Sequence, residues 1–253
     1  MKNFVIGIVC ALAATQAAGC IITSDDGGDY ATVGATWQFT SVSGGTAPSC
    51  PPGYDTAALF NVAVDANGNH IAPCTGPASV SDTCFVDLFR CSDFAGVSAP
   101  LPPTRYQTWV SITDSTGVNT YAQSLSAFLD VRAIDLDFHA TIATDGGYFA
   151  VDWDLKGASS QAPLSCAQAG STDVEAVVTI SGGTTMVDAG NNWPCEDHYG
   201  VTKAIAAGSY TVAINALDAD GSIGTAPEYT NKAIQGPNKV TDLGTAIIPI
   251  DGL

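Results

Sequence analysis

Apolar residues recur at every second position through much of the chain. Phe149, Val151, Trp153 and Leu155 alternate with Ala150, Asp152 and Asp154, and Trp37 and Phe39 repeat the spacing earlier. The stretches ALFNVAV (58–64) and VEAVVTI (174–180) run up to turn residues, Asp65 to Gly68 in one case and Ser181 to Gly183 in the other. Further on, Tyr210, Val212, Ile214 and Ala216 fall on one side of a strand, with Thr211, Ala213 and Asn215 on the other. A period of two belongs to a strand with one buried face. Such strands at short intervals, separated by Gly, Pro and Asn turns and with no sustained helical period, predict an all-β chain of antiparallel β-sandwiches.

The chain repeats itself. WQFTSVSGGTAPSC, from Trp37 to Cys50, matches WDLKGASSQAPLSC, from Trp153 to Cys166, at an offset of 116. The stretch from Cys91 to Gly117 aligns without a gap on Cys195 to Gly221 at an offset of 104, with 7 of 27 positions identical, among them the cysteine, Tyr106/Tyr210 and Asp114/Asp218. Two tandem copies of one β-sandwich domain follow, 33–143 and 147–250, joined at TDGGY.

Cysteine arithmetic gives each copy an internal disulfide. The second copy holds only Cys166 and Cys195, which must pair if the copies fold separately. The corresponding pair in the first copy is Cys50 with Cys91, leaving Cys74 and Cys84, in a stretch the second copy lacks, for each other. Metal-binding thiolates are disfavoured, because there is no C-x-x-C spacing and thiols of exported proteins oxidise.

Export is read from the first twenty residues. Lys2 precedes an eleven-residue apolar run, Phe4 to Ala14, and then small residues, the layout of a secretory signal over 1–19. That run is far shorter than the ~20 residues of a membrane helix. Ala17-Ala18-Gly19-Cys20 resembles the lipobox of bacterial lipoproteins, although Ala17 stands where Leu is usual. Lipidation of Cys20 would explain an otherwise odd cysteine; ordinary cleavage at the same small residues would leave it a free thiol. TSDDGGD then reads as part of a flexible tether over 20–32. The net charge of −17 excludes nucleic acid as a natural partner.

Candidate chemistry is sparse. Asp218, Asp220 and the DG that ends there would suit a calcium loop, but the first copy reads Asp114-Ser115-Thr116-Gly117 and keeps only the turn-making Asp and Gly. The DANGNH stretch at Asp65 is read as a turn in the same way. Asp93 and Asp197, which follow the shared cysteine, are expected to bond loop amides. His70, His139 and His198 lack ligand spacing, and no nucleophile or metal-hydrolase motif is present. No catalytic residue, cofactor or metal is assigned.

The lipobox, the W-x-F/L strand, the Cys-to-Cys link and the G-x-Y-T-V-x-I-x-A-x-D strand together resemble bacterial lipoproteins, frequent in myxobacteria, that carry tandem immunoglobulin-like or carboxypeptidase-regulatory-like β-sandwich modules. APLPPTRY and AIAAGSY precede the shared tyrosine as a corner does in fibronectin type III and immunoglobulin-like folds, where the phenol tethers the loop. Thr104 in place of Gly208 puts that corner in question in the first copy. The resemblance implies a lipoprotein held in the cell envelope through its lipid anchor; Ile21 after Cys20, where Asp marks inner-membrane retention in some bacteria, points to the outer membrane. The resemblance carries over no catalytic residue, and the role expected of such a chain is non-catalytic adhesion, scaffolding or partner binding toward an envelope protein or glycan, the alternatives being a carbohydrate or small-ligand module and an enzyme or enzyme inhibitor. Parity along its strand sets Trp109 opposite Tyr106, Thr108, Val110 and Ile112, beside Gln107 and Ser111, where it would mark a ligand face or pack against the second copy or the longer loop of the first.

Overall fold

The computed structural model describes residues 30–45, 49–74, 76, 80–132 and 134–252. The signal sequence, Cys20 and all but the last residues of the tether lie outside them. Eight strands form the first repeat: β1 (Val33–Thr40), β2 (Thr56–Ala63), β3 (Cys84–Arg90), β4 (Ala95–Val97), β5 (Thr104–Thr113), β6 (Thr120–Gln123), β7 (Ala127–Val131) and β8 (Leu136–Ala143). The second contains β9 (Gly146–Gly157), β10 (Pro163–Leu164), one turn of helix α1 (Cys166–Ala169), β11 (Asp173–Ile180), β12 (Met186–Pro194), β13 (Tyr199–Val201), β14 (Ile205–Ala206), β15 (Gly208–Leu217), β16 (Ser222–Thr225), β17 (Tyr229–Ile234) and β18 (Lys239–Ile250).

In the first repeat a three-stranded sheet, β4-β1-β8, faces a five-stranded one, β3-β2-β5-β6 with β7 also on β5. The second repeats this plan and adds two short strands, β10 and β14, along β9. β9 takes the place of β1 between β13 and β18, and β12-β11-β15-β16, with β17 on β15, takes the place of the larger sheet. A single residue pair, Gly224 with Ile250, links the two layers there into one ten-stranded sheet. Pairing is antiparallel except that the first and last strands of each repeat run parallel, β1 with β8 and β9 with β18. A parallel partner needs a long connection, and the rest of the sandwich supplies it.

Each repeat fills its sandwich with its own residues. One core gathers Val33, Trp37, Leu59, Tyr106, Ile112 and Ile142, and the other Phe149, Trp153, Leu155, Val178, Ile214 and Ile248, all buried. Burial of side chains of this size contributes about 1.5–3 kcal/mol apiece. Both cores centre on the same device. The indole N–H of Trp37 donates to the carbonyl of Cys91 (2.8 Å) and that of Trp153 to the carbonyl of Cys195 (2.9 Å). Their rings pack on Phe89 and Trp193 at 6.1 and 5.9 Å. The shared glycine is explained by that aromatic neighbour: a Cβ on Gly96 would lie 2.6 Å from the Phe89 ring, and one on Gly200 2.3 Å from the Trp193 ring.

The disulfides are Cys50–Cys91, Cys74–Cys84 and Cys166–Cys195, with Cα atoms 5.9, 5.6 and 5.9 Å apart. Both tyrosine corners close as well. Tyr106 donates its hydroxyl to the carbonyl of Pro102 (2.9 Å) and Tyr210 to that of Ala206 (2.8 Å), so Thr104 does not disturb the first corner.

The repeats meet through a short polar joint. Asp145, between β8 and β9, accepts bonds from the Ser41 hydroxyl (2.7 Å), the Val42 amide (2.7 Å) and the amide and hydroxyl of Ser43. These donors, the Ser43 and Ser41 hydroxyls foremost, hold its carboxyl well below the usual range. Asn238 is buried on the other side of the joint. Its Oδ1 accepts from the Ala143 amide (2.5 Å) and the Tyr148 hydroxyl (3.2 Å), and its Nδ2 donates to the Gln123 carbonyl (2.7 Å). The Gly-Gly of the join is required by close backbone approach: a Cβ on Gly147 would sit 2.3 Å from the Lys239 carbonyl oxygen.

Candidate ligand cleft between the repeats

Beside that joint lies an open cleft of about 920 Å³. Its first wall is β6, the loop 124–126 and the start of β7; its second is β13 and the approach to β18, Pro237 to Val240. Three aromatic residues line it. Phe128 interrupts the inward row Ala127, Leu129 and Val131, so its ring stands outward, 48% exposed, with the Arg105 guanidinium 4.6 Å above it. Tyr199, on the opposite wall, is 50% exposed. Tyr121 is half-buried beside Tyr54, at 5.4 Å between rings.

The polar groups of the cleft are hydroxyls, amides and one ammonium, that of Lys239. Gln107 is already engaged, its Oε1 with His70 Nε2 (2.6 Å) and its Nε2 donating to the Ser126 hydroxyl (2.8 Å). The carbonyl of Gln123 is taken by Asn238, which leaves its exposed side chain facing the cleft without a protein partner among the described residues. Burial, then the carboxylates of Asp152 and Asp242, push the Tyr199 phenol up. Burial likewise raises that of Tyr121, with Asp145 and Tyr54 adding to it. Phenols are protonated at neutral pH in any case, and both can donate.

Residues singled out in the sequence go elsewhere. All six cysteines beyond Cys20 are in disulfides, and Cys20 lies outside the described residues. Trp109 stands opposite Tyr106 as parity requires, yet it is 7% exposed, stacked on Phe60 at 4.8 Å with the His70 ring at 6.2 Å, and packed with Cys74. A ring covered in this way is packing under the long loop and offers no ligand face. The acidic loops are turns: Asp65 accepts from the amides of Asn67 and Asn69, Asp114 from those of Thr116 and Val118, and Asp218 from those of Asp220 and Gly221. Asp93 and Asp197 make no such bond among the described residues, contrary to the expectation for them. Cys166, Glu196 and His198 cluster within 4.8 Å, but the Cys166 sulfur is committed to Cys195 and cannot act as a thiolate ligand.

None of the cleft residues stands out in the sequence, although one signal was there: an aromatic out of parity in AFLDV, at Phe128. Tyr199 and Asn238 carry no comparable mark, because their place depends on how the repeats dock.

No family model and no curated protein matches the sequence. Among solved structures the chain is similar to a leucine-rich repeat protein from Bacteroides thetaiotaomicron, with TM-score 0.36 and 15% identity over 88% of this chain, of which it spans only 26%. It is similar too to the minor pilin GBS52 of Streptococcus agalactiae, with TM-score 0.29 and 10% identity over 86% of this chain and 96% of that one. A double mutant of the shaft pilin SpaA from Lactobacillus rhamnosus GG gives TM-score 0.25 and 12% identity over 88% and 99%. Likeness this remote assigns no function, and the fold stands on the strand pairing of the chain itself. Among the described residues no helix is long and apolar enough to cross a membrane.

Proposed function

We propose that the protein is a non-catalytic binding protein of the cell envelope, exported by its signal sequence and held at the outer membrane by a lipid on Cys20. Residues 33–143 and 147–250 act as two immunoglobulin-like modules, docked through Asp145 and Asn238 into one adhesive or partner-binding unit. The observation that carries this reading is the cleft at their joint, whose two walls come from different modules and present aromatic rings, hydroxyls and amides, the groups that hold a ligand in place. The N-terminal layout supports the anchor: an apolar run, then Ala17-Ala18-Gly19-Cys20 and a polar stretch.

Two measurements test it. Growth with a clickable fatty acid should label the wild-type protein and leave Cys20→Ser unlabelled; equal labelling of both removes the anchor. The full chain, immobilised and washed with envelope extract, should retain an envelope component. Retention of nothing, or turnover of an extract component, overturns the binding role.

A further inference from the structure

Resting on the reading of the protein as a binding unit, we infer that the inter-repeat cleft is a site for a neutral oligosaccharide. At about 920 Å³ it lies near the top of the ~300–1,000 Å³ range of ligand sites and has room for several sugar rings. A sugar ring offers an apolar C–H face ringed by hydroxyls. It needs flat apolar surface at its faces and small donors and acceptors at its rim. The cleft provides both: the half-exposed rings of Phe128 and Tyr199 stand on opposite walls, and Thr120, Gln123 and Ser126, on the wall of Phe128, are groups that donate as well as accept. Both tyrosine phenols carry their proton at neutral pH, burial and neighbouring carboxylates only raising them further, and can donate to a sugar hydroxyl.

The charge pattern selects a neutral ligand. Lys239 is the one charged side chain in the lining and Arg105 stands over Phe128 at its edge, two local cations set against a chain that as a whole carries −17, so at long range a polyanion meets a repulsive field. Preorganisation adds to the case. The Asn238 bonds to Ala143, Tyr148 and Gln123 fix the two walls relative to one another before any ligand arrives, so little ordering remains to be done on binding.

The test is titration of the full chain with cellohexaose, xylohexaose, mannohexaose, laminarihexaose and chitohexaose, and with polygalacturonate as the anionic counterpart. At least one neutral hexasaccharide should bind with submillimolar Kd, and more tightly than polygalacturonate. Tyr199→Ala and Phe128→Ala should each weaken that binding at least tenfold with unchanged Tm, while Val97→Ser, an exposed position outside the cleft, should leave it intact. No binding by any neutral sugar, equal or tighter binding of the polyanion, or binding indifferent to both cleft substitutions overturns the assignment. If the component retained from envelope extract is a protein and Tyr199→Ala abolishes its retention while no sugar binds, the binding role stands and the sugar assignment falls. If nothing at all is retained, the binding role itself falls.

Discussion

The two repeats share a frame and differ on one face of it. In the second, the large sheet buries only its inner side: along β11 and β15, Val174, Ala176, Val178, Val212 and Ile214 are buried, while Glu175, Val177, Thr179, Thr211, Ala213 and Asn215 are partly exposed. In the first, the same sheet is buried on both sides, and Ala58, Phe60, Val62 and Trp109 form a second small core with Cys74 and Val86. The cause is the link between the second and third strands. It runs from Ser181 to Thr185 in the second repeat and from Val64 to Thr83 in the first, where His70 and Cys74 lie against the outer face of the sheet and Cys74 is tied to Cys84. One sandwich frame thus supports a single-faced or a double-faced sheet, and the length of one connection decides which.

The sharpest test exchanges the residues that differ. Trp109 pairs across the sheet with Phe60, and Ala213 pairs with Val177 at the equivalent place. Trp109→Ala gives the first repeat the residue of the second, and should cost about 3–5 kcal/mol in urea denaturation followed by circular dichroism, because it empties a covered site. Ala213→Trp puts a ring on an open face and should change stability by no more than about 0.5 kcal/mol. Equal effects of the two substitutions would mean that the faces are alike.

How much of this the sequence discloses depends on the range of the interaction. The frame was legible because it is local or duplicated: Trp37 and Trp153, the cysteine pairs and the tyrosine corners all show as matching residues. The double burial of β2 was half legible. Ala58, Phe60 and Val62 are apolar at the same time as Ala57, Leu59 and Ala63 on the other parity, the mark of a strand covered on both faces, but a period-two reading assigns one face to solvent. The parallel pairing of first and last strands was not legible, since no periodicity records which strands become neighbours. Nor was the cleft, for Phe128 and Tyr199 are brought near one another only by the docking of the repeats.

A second test removes the tie on the cover. Cys74→Ser with Cys84→Ser should cost about 2–3 kcal/mol on the chain-entropy account of a loop of sequence separation 10. It should also increase hydrogen exchange in β2 and β5 while leaving β11 and β15 unchanged. Loss of protection in the second repeat as well would show that the cover supports the whole molecule.

The inner faces differ by one polar pair. Thr108 donates its hydroxyl to Asn61 Oδ1 at 2.9 Å, both residues are fully buried, and Asn61 Nδ2 has no partner among the described residues. The matching cross-strand pair in the second repeat is Val178 with Val212. Thr108→Val alone strands the Asn61 amide and should cost about 1–3 kcal/mol, whereas the double change Asn61→Val with Thr108→Val should come within about 1 kcal/mol of wild type. A double mutant no better than the single would give the pair a role that the second repeat does without.

The smallest expected difference lies at the tips of the β5–β6 and β15–β16 hairpins. Asp114 accepts from the Thr116 hydroxyl at 2.7 Å, the Asn119 side-chain amide at 2.5 Å and the amides of Thr116 and Val118, while Asp218 accepts only from the amides of Asp220 and Gly221. The Thr116 and Asn119 side chains lead in drawing the Asp114 pKa from 3.8 down to about 2. Because the folded value is the lower one, the stabilisation is present above about pH 4 and is lost as pH falls through the interval down to about 2. Solvent screening at this exposed site keeps the effect small. Nuclear magnetic resonance from pH 5 down to about 1 should show the amides of 114–119 moving with a midpoint near 2, and Asp114→Asn should abolish that transition without altering the hairpin at 218–221. A midpoint at the ordinary aspartate value would show that the Thr116 and Asn119 bonds do not hold in solution and that the two hairpin tips are equivalent.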